Sequence, residues 1–276
     1  MYAFTEKRFQ YFRSSCLYRY MLVIGLTCMS FAGAQPNLVG LSPARFELTA
    51  VPGQLLDEHI FAFGRDNRTF VVTPSLLDWT VSSSGGVELL DPNVLEQSAS
   101  AWVNITVSPF ELQRNQNLRI PFTIRVPDDA APGVYRTALA FTTDARVNPE
   151  AVVSEEQASI AFRSRVASIV YVIVEPVSHQ GRVVDAFVED AHSVFVINNE
   201  GTGLLRFNGS LEYVGVDGQV IHRETLSERV VLPDGRSELR RPLLSAEQLP
   251  SRAVLLAMNL TDSNSGLQLY GEIPLP

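Results

Sequence analysis

The sequence predicts an all-β protein made of two immunoglobulin-like β-sandwich domains in tandem. From residue 40 onward, valine, isoleucine, phenylalanine and threonine recur in short runs bounded by turn residues, which is typical of strands. No stretch of this region shows the apolar period of an amphipathic helix. The strand pattern starts again after residues 175–181, which contain proline and glycine and are predicted to form an inter-domain hinge.

The first half of the chain is predicted to contain seven strands. Residues 51–54, 82–86 and 126–133 separate several of them and are rich in proline, glycine and serine, which preset turns and end strand ladders. Seven short strands at this spacing favour an antiparallel sandwich of immunoglobulin type. The predicted strands are residues 45–50, 59–64, 77–82, 102–108, 117–126, 134–142 and 160–174.

The second half is predicted to form a similar sandwich of about 100 residues, the usual size of this fold. Asp217-Gly218 suits the tight turn of a two-residue β-hairpin. We expect a domain at residues 35–175 and another at 176–276. The predicted strands are residues 183–189, 193–198, 204–214, 220–228, 236–242, 253–259 and 267–273.

Residues 1–34 have the pattern of a cleavable secretory signal peptide. A basic region with Lys7 and three arginines precedes the apolar run 21–31, and Ala32-Gly33-Ala34 provides small residues for cleavage before Gln35. The apolar run is short for a membrane span, so we expect no stable membrane insertion after cleavage. A retained N-terminal anchor is the alternative. The predicted location is the periplasm.

Cysteine and charge content narrow the function classes. Both cysteines, Cys16 and Cys28, lie in the predicted signal peptide, so the mature chain is expected to lack disulfides and thiolate metal ligands. The net charge is −8, and removal of residues 1–34, with four basic residues and one acidic residue, leaves −11. Such acidity disfavours nucleic acid and anionic membranes as partners. Lys7 is the single lysine, so Schiff-base chemistry is excluded from the mature chain.

Motifs for catalysis are absent from the sequence. It contains no Gly-x-Ser-x-Gly elbow, paired zinc histidines, phosphate loop or dinucleotide-binding glycines. We therefore predict that the protein is not an enzyme and uses no cofactor or metal. Asp185, Glu189 and Asp190 are candidates for weak calcium binding, but a solvated strand end is the favoured interpretation.

The run from Ala158 to Val174 is the most informative segment. It is long, rich in β-branched residues and partly alternating, whereas typical strands have about 5–6 residues. A long apolar strand with an open edge promotes aggregation unless another chain pairs with it. The alternative is a strand buried inside its own sandwich, and residues 169–174 are apolar on both faces. The two interpretations are compatible if the first part is exposed and the second buried.

Several separated segments resemble the periplasmic pilus-assembly chaperones of the chaperone–usher pathway (PapD-like), of which this chain is expected to be a divergent member. No single segment is specific, and their order and spacing carry the resemblance. The segments are Ser-Pro-Ala-Arg-Phe-Glu-Leu at 42–48, Trp-Val-Asn-Ile-Thr-Val-Ser-Pro-Phe-Glu-Leu at 102–112, Asn-Leu-Arg-Ile at 117–120, Pro-Gly-Val-Tyr-Arg at 132–136 and Ser-Arg-Val at 164–166.

The resemblance implies two immunoglobulin-like domains in a boomerang arrangement that hold secreted fibre (pilin-like) subunits and deliver them to an outer-membrane usher. Family members insert their last first-domain strand into the groove of an incomplete subunit, which is donor-strand complementation. The expected groove-filling residues here are Ala158, Ile160, Phe162 and Ser164. Arg163 is then expected to point the other way, although a shift of one residue would exchange the faces.

The resemblance also implies an anchor for the carboxylate at the end of the subunit. In the family an arginine on the first strand and a lysine on the last hold this group, and Arg45 matches the arginine. Ala167 matches the lysine in an ungapped alignment. Arg165, two residues earlier and on the same strand face, is our candidate replacement.

Two other functions stay open at this point. A structural or adhesive fibre protein would be expected to have an N-terminal donor extension, and residues 35–41 are too short for one. A carbohydrate- or calcium-binding sandwich would need an aromatic platform. Trp79 and Trp102 are the two tryptophans, and both are predicted to pack in the core.

Overall fold

The computed structural model describes residues 39–65, 69–144, 146–147 and 161–275, with backbone alone for residues 146–147 and 161–162. The predicted signal peptide, and Ala158 and Ile160 of the predicted donor strand, lie outside the described residues. So does most of the acidic segment 144–157 that precedes the donor strand.

Two sheets enclose the first sandwich. One has the strand order β1-β3-β8-β6, and the other has the order β2-β12-β9-β4-β5, with β7 also paired to β4. The short strands β10 and β11 form a separate antiparallel pair. The strands are β1 Val39–Ser42, β2 Arg45–Ala50, β3 Leu55–Gly64, β4 Phe70–Val81, β5 Val87–Leu90, β6 Val103–Ile105, β7 Phe110–Leu112, β8 Asn117–Arg125, β9 Gly133–Thr143, β10 Arg146–Val147, β11 Ala161–Phe162 and β12 Arg165–Val174.

The core of the first sandwich follows the alternation of its strands. Ile120, Phe122 and Ile124 point inward from β8 and are at most 2% exposed. Phe122 meets Phe46 of the opposite sheet edge to face, with ring centroids 5.3 Å apart, a favourable aromatic geometry. Burial of one face of each sheet therefore fixes the strand register in this half.

The second sandwich has a three-stranded and a four-stranded sheet. Their orders are β13-β14-β17 and β16-β15-β18-β19. Asp217-Gly218 lies in the turn between β15 and β16, and Gly218 has a φ of +76°, which glycine adopts readily. The strands are β13 Gly181–Glu189, β14 His192–Asn199, β15 Leu205–Gly215, β16 Val220–Val231, β17 Arg236–Pro242, β18 Ala253–Asp262 and β19 Gln268–Pro274.

An apolar cluster joins the two sandwiches. Trp79, Tyr171 and Val134 of the first sandwich pack with Leu204 and Leu232 of the second, and all are at most 6% exposed. We call this set the interface cluster. The described residues from Val39 to Leu275 accordingly belong to one compact unit.

The predicted fold class, two tandem immunoglobulin-like sandwiches, is confirmed, while some strand predictions are wrong. The predicted strand 160–174 is interrupted at Arg163 and Ser164, because Ser164 donates its N–H to the Thr143 side-chain hydroxyl instead of a backbone carbonyl. The predicted strand 102–108 is reduced to β6. Trp102 ends the 3-10 turn Ser100–Trp102, the one helical segment among the described residues.

Candidate functional site

The last strand of the first sandwich, β12, has one edge that is covered along only part of its length. Antiparallel pairing with β9 covers one side from Arg165 to Val174. On the other side, β2 pairs in parallel with Ile169–Val174 and begins at Arg45, opposite Ile169. Within the described residues, no strand pairs with the edge ahead of Ile169, although β1 lies near β12 without forming a ladder with it. The second half of the run is thus an internal strand, as the burial alternative predicted.

The path of the first strands explains why the edge opens there. In β1 the chain pairs with β3 in the other sheet, and it crosses to β12 only at residues 42–45. Two hydrogen bonds mark the start of the cover: Ser168 Oγ donates to the Pro43 carbonyl at 2.9 Å, and Ile169 N donates to the Ala44 carbonyl at 3.1 Å. The open edge therefore consists of Arg165, Val166 and Ala167.

Strand alternation decides which backbone groups of this edge are free. Ile169 directs its N–H toward β2, so residues two and four positions earlier, Ala167 and Arg165, direct theirs to the same, open side. Ser164 bonds in the opposite direction, since its carbonyl accepts the Thr143 N–H at 2.8 Å. The open edge thus presents N–H and C=O groups at Arg165 and Ala167.

Side chains of β12 separate between two faces. Val166, Val170 and Val172 pack toward the first core, whereas Ala167, Ile169 and Tyr171 belong to or contact the interface cluster. Arg165 is an even number of residues from Ala167, Ile169 and Tyr171, so its side chain lies on the same face of the strand as theirs. Its Nε donates to Thr142 Oγ1 at 3.1 Å. Of the predicted donor residues, Ser164 is half-buried, and Phe162 lies in β11, where only its backbone is described.

Arg45 lies at the junction of the two sandwiches, in a network of four charged side chains. Its Nε is 2.8 Å from Glu47 Oε1, and its Nη1 is 3.3 Å from Glu228 Oε1. Arg206 of β15 bonds the same two carboxylates, with its Nη1 2.7 Å from Glu228 Oε1. This junction network, Arg45, Glu47, Arg206 and Glu228, connects β2 to the second sandwich.

The network shifts the pKa values of its members. Burial alone would raise the pKa of Glu228, but hydrogen bonds and positive charge from Arg206 and Arg45 outweigh it and lower that pKa. Burial alone would lower the pKa of Arg206, and the bond to Glu228 with the charges of Glu47 and Glu228 raises it instead. Both effects favour the ionised pairs.

A cavity of about 410 Å³ opens beside this network. Arg45 lies on its wall with 45% of its side chain exposed, next to Ile169 and Tyr171 of β12. Because the guanidinium has more N–H groups than its two carboxylates use, it can donate to a further acceptor. We call this cavity the anchor pocket. Its other lining residues are Ala44, Trp79, Val81, Gly85, Val87, Arg206, Glu228, Arg229 and Val230.

Arg229 is a third arginine of the anchor pocket, besides Arg45 and Arg206, and the sequence did not reveal it. Its Nη1 donates to Ser237 Oγ at 2.9 Å and to the Glu238 carbonyl at 3.0 Å. Burial and the nearby charge of Arg241 lower its pKa, and no carboxylate of the described residues forms an ion pair with it. The predicted strand 220–228 stopped one residue short of Arg229, so its position in β16 was missed.

The two predicted anchor arginines are not in contact. Arg45 is opposite Ile169 in the register, four residues beyond Arg165, which corresponds to about 13 Å along a strand. Ala167, at the expected lysine position, contacts the interface cluster. The β12 residues that line the anchor pocket are Ile169 and Tyr171.

The remaining candidate groups have structural partners. Glu189 Oε2 is 2.6 Å from Arg240 Nη1, and Asp190 is 3.8 Å from the same guanidinium. No group of three or more His, Cys, Asp or Glu side chains in the described ranges is placed to hold a metal ion. In those ranges no helix has the length and apolarity required to cross a membrane. Trp79 is buried, as predicted, whereas Trp102 is only half-buried and packs against the core of the first sandwich.

Comparison with known proteins gives structural likeness alone. No protein-family model matches the sequence, and neither does any curated protein. Three similar solved structures are a chain of the CsuC–CsuE chaperone–tip adhesion subunit complex of Csu pili from Acinetobacter baumannii, the Pseudomonas aeruginosa CupB2 chaperone and the E. coli chaperone DraB. Their identities to this chain are 9%, 10% and 14%, and their TM-scores are 0.48, 0.42 and 0.40. They cover 85%, 86% and 86% of this chain, and 97%, 100% and 96% of their own. No residue role is transferred from these structures.

Proposed function

We propose that this chain is a non-enzymatic periplasmic chaperone that binds fibre (pilin-like) subunits by lending them its open β12 edge. The observation that carries the proposal is the uncovered edge at Arg165–Ala167, placed directly ahead of a pocket that contains Arg45. An incomplete β-sandwich gains backbone hydrogen bonds from such an edge by strand addition. Release of the subunit to an outer-membrane usher completes the proposed role.

The proposed anchor at Arg45 implies a direction for the bound strand. A client strand whose terminal carboxylate reaches Arg45 lies along the open edge and ends near Ile169, where β2 begins. It therefore runs parallel to β12, as β2 does. Its backbone groups bond the free N–H and C=O of Arg165 and Ala167, whereas Val166 remains bonded to β9.

Charge in the anchor pocket supports recognition of a carboxylate. The junction network is balanced, with two arginines and two glutamates, and Arg229 adds a positive charge to the pocket wall. We propose Arg45 as the primary anchor and Arg229 as the second cation. Arg165 stays in the proposal as a cation beside the path of the client strand, about 13 Å from the carboxylate site.

The proposal includes the predicted signal peptide and the predicted domain boundaries. Residues 1–34 direct export and are cleaved, and residues 35–175 and 176–276 fold as the two domains. The groove-filling role of Ala158, Ile160, Phe162 and Ser164 extends the donor edge toward the N-terminal end of the run. Such binding depends on backbone pairing and charge, and it requires no cofactor.

A proline at position 167 tests the donor edge. Proline lacks the N–H that Ala167 directs to the open side, so A167P removes a bond to the client while the β9 ladder, formed by residues of the other parity, persists. Co-expression with secreted β subunits from neighbouring genes should yield a one-to-one complex for wild type and for the control A167V, and no complex for A167P. The proposal is wrong if A167P, shown to be folded by circular dichroism, captures the subunit as well as A167V does.

Size-exclusion chromatography of the purified chain addresses the alternative function. A structural or adhesive fibre protein polymerises with copies of itself, whereas a chaperone remains a monomer or dimer. Polymers formed by the isolated chain would favour the fibre-protein alternative.

A further inference from the structure

Arg136 is a buried cation beside the interface cluster, and the proposed function does not use it. It lies in β9, opposite Tyr171 of β12 in the strand register, and it has the same strand parity as Val134 and Ala138 of the interface cluster. The residue is 7% exposed, and its Nε donates to the Trp79 carbonyl at 2.9 Å. That bond uses the Nε–H group, so the N–H groups on the two terminal nitrogens, Nη1 and Nη2, have no hydrogen-bond partner among the described residues.

No carboxylate of the described residues pairs with Arg136. The charge of Asp78 acts on Arg136, but the Asp78 oxygens already accept the Val94 and Leu95 N–H groups and the hydroxyls of Ser98 and Ser100. Burial lowers the pKa of Arg136, against the opposing effects of Tyr171 and Asp78. A largely buried guanidinium without an ion-pair partner is costly, so an anion that reaches its terminal N–H groups would stabilise it.

A small cavity provides the space for one. A notch of about 180 Å³ is lined by Arg136, Thr80 and Val81 of the first sandwich and by residues 230–236 of the second. These include one acidic residue, Asp234, so the two arginines leave the lining with a net positive charge. Arg236 supplies a second guanidinium at 57% side-chain exposure, 3.5 Å from Glu238 Oε1. The fully buried side-chain atoms without partners among the described residues are at His179 and Asn198. The terminal nitrogens of Arg136 are not among these atoms, and Arg136 is a lining residue of the notch.

We infer that this notch binds a small oxyanion, such as inorganic phosphate or a carboxylate, between Arg136 and Arg236. A guanidinium group bonds two oxygens of either group in parallel, which makes arginine suited to both. Because the walls come from both sandwiches, a bound oxyanion stabilises their contact. The notch is a different cavity from the anchor pocket, although Val81 and Val230 line both, and the inference does not depend on the proposed chaperone function.

Calorimetric titration and thermal unfolding of the mature chain test this inference. Phosphate, sulfate and acetate are compared with chloride at constant ionic strength, because high concentrations of sulfate or phosphate stabilise most proteins without binding a site. A specific site raises Tm saturably at millimolar concentrations, as mass action requires. If phosphate and sulfate raise Tm but acetate does not, the site binds tetrahedral oxyanions. If acetate raises Tm equally, the site also accepts carboxylates.

Variants assign the site. R136Q should abolish the saturable increase in Tm, and R236Q should weaken binding roughly tenfold, as expected for loss of one charge-assisted hydrogen bond. R182Q removes an exposed arginine that pairs with Glu200 and should bind as wild type does. If R136Q does not fold, the comparison of R236Q with R182Q decides the question. Equal affinity of R236Q and R182Q, or no saturable effect of any oxyanion on wild type, overturns the inference.

Discussion

Replacing Arg206 by methionine should destabilise the protein, because Arg206 of the second sandwich forms an ion pair with Glu47 that connects the two sandwiches. Its side chain is 5% exposed and bonds both Glu47 and Glu228. Methionine has a similar length and keeps the apolar packing of the side chain, but it removes both charge-assisted bonds. R206M therefore isolates the contribution of charge at the junction.

The expected loss follows from burial at each end of the two bonds. A hydrogen bond to a charged group contributes about 1.5–3 kcal/mol, but Glu47 and Glu228 are 30% and 46% exposed in their side chains. Water therefore screens both ion pairs and reduces what each contributes, so we take about 1 kcal/mol per bond. Since methionine also avoids the desolvation of a guanidinium, the net cost is about 1–2 kcal/mol, or about 2–8 °C in Tm.

Thermal unfolding followed by tryptophan fluorescence is a suitable assay, because Trp79 lies in the interface cluster. The matched control is R223M, which removes an arginine with 61% side-chain exposure that pairs with Glu212. Its cost should stay within about 0.5 kcal/mol and vanish in high salt. The cost of R206M should persist in high salt. Equal losses for R206M and R223M would refute the structural role of the network.

Three further predictions follow from the same contacts. The lowered pKa of Glu228 means that its stabilising effect is complete above the ordinary carboxyl pKa and is lost as the pH falls through the folded value. Urea unfolding should therefore show that the stability difference between wild type and E228Q shrinks in acid, and a constant difference from pH 7 to pH 3 would contradict this. D78N should cost about 2–4 kcal/mol, because an amide nitrogen cannot accept the N–H and hydroxyl donors that the buried carboxylate holds. An effect on the unfolding midpoint no larger than that of an exposed Asp217→Asn change would count against it. In client pull-downs, R45A and R229A should each weaken capture, with R45A losing about 2–5 kcal/mol; full capture by both would exclude the anchor pocket.

The sequence predicted the class of the fold because strand alternation and turn residues are local signals. It predicted β2 and β17 to the residue, since proline or glycine lies near their ends. The short strands β5 and β7 were missed, because three or four residues do not display a period. The gap at Ser164 was also missed, because it depends on the hydroxyl of Thr143 in another strand.

The candidate site was predicted in part. Arg45 was identified from the resemblance, and Glu47 lies two residues away on the same strand face. Arg206 and Glu228 were not predicted, because their contacts with the first sandwich span more than 150 residues of sequence. Only the packing of one sandwich on the other brings them together.

Hydrogen exchange at individual amides of β12 is the most direct test of whether a client strand pairs with its open edge. In the free protein, the Arg165 and Ala167 amides should exchange fast, while the Val166 and Val170 amides, bonded to β9, should exchange slowly. Binding of a client subunit should slow exchange at Arg165 and Ala167 alone among these four. Slow exchange at Ala167 in the free protein, or unchanged exchange in the complex, would show that β12 does not donate its edge.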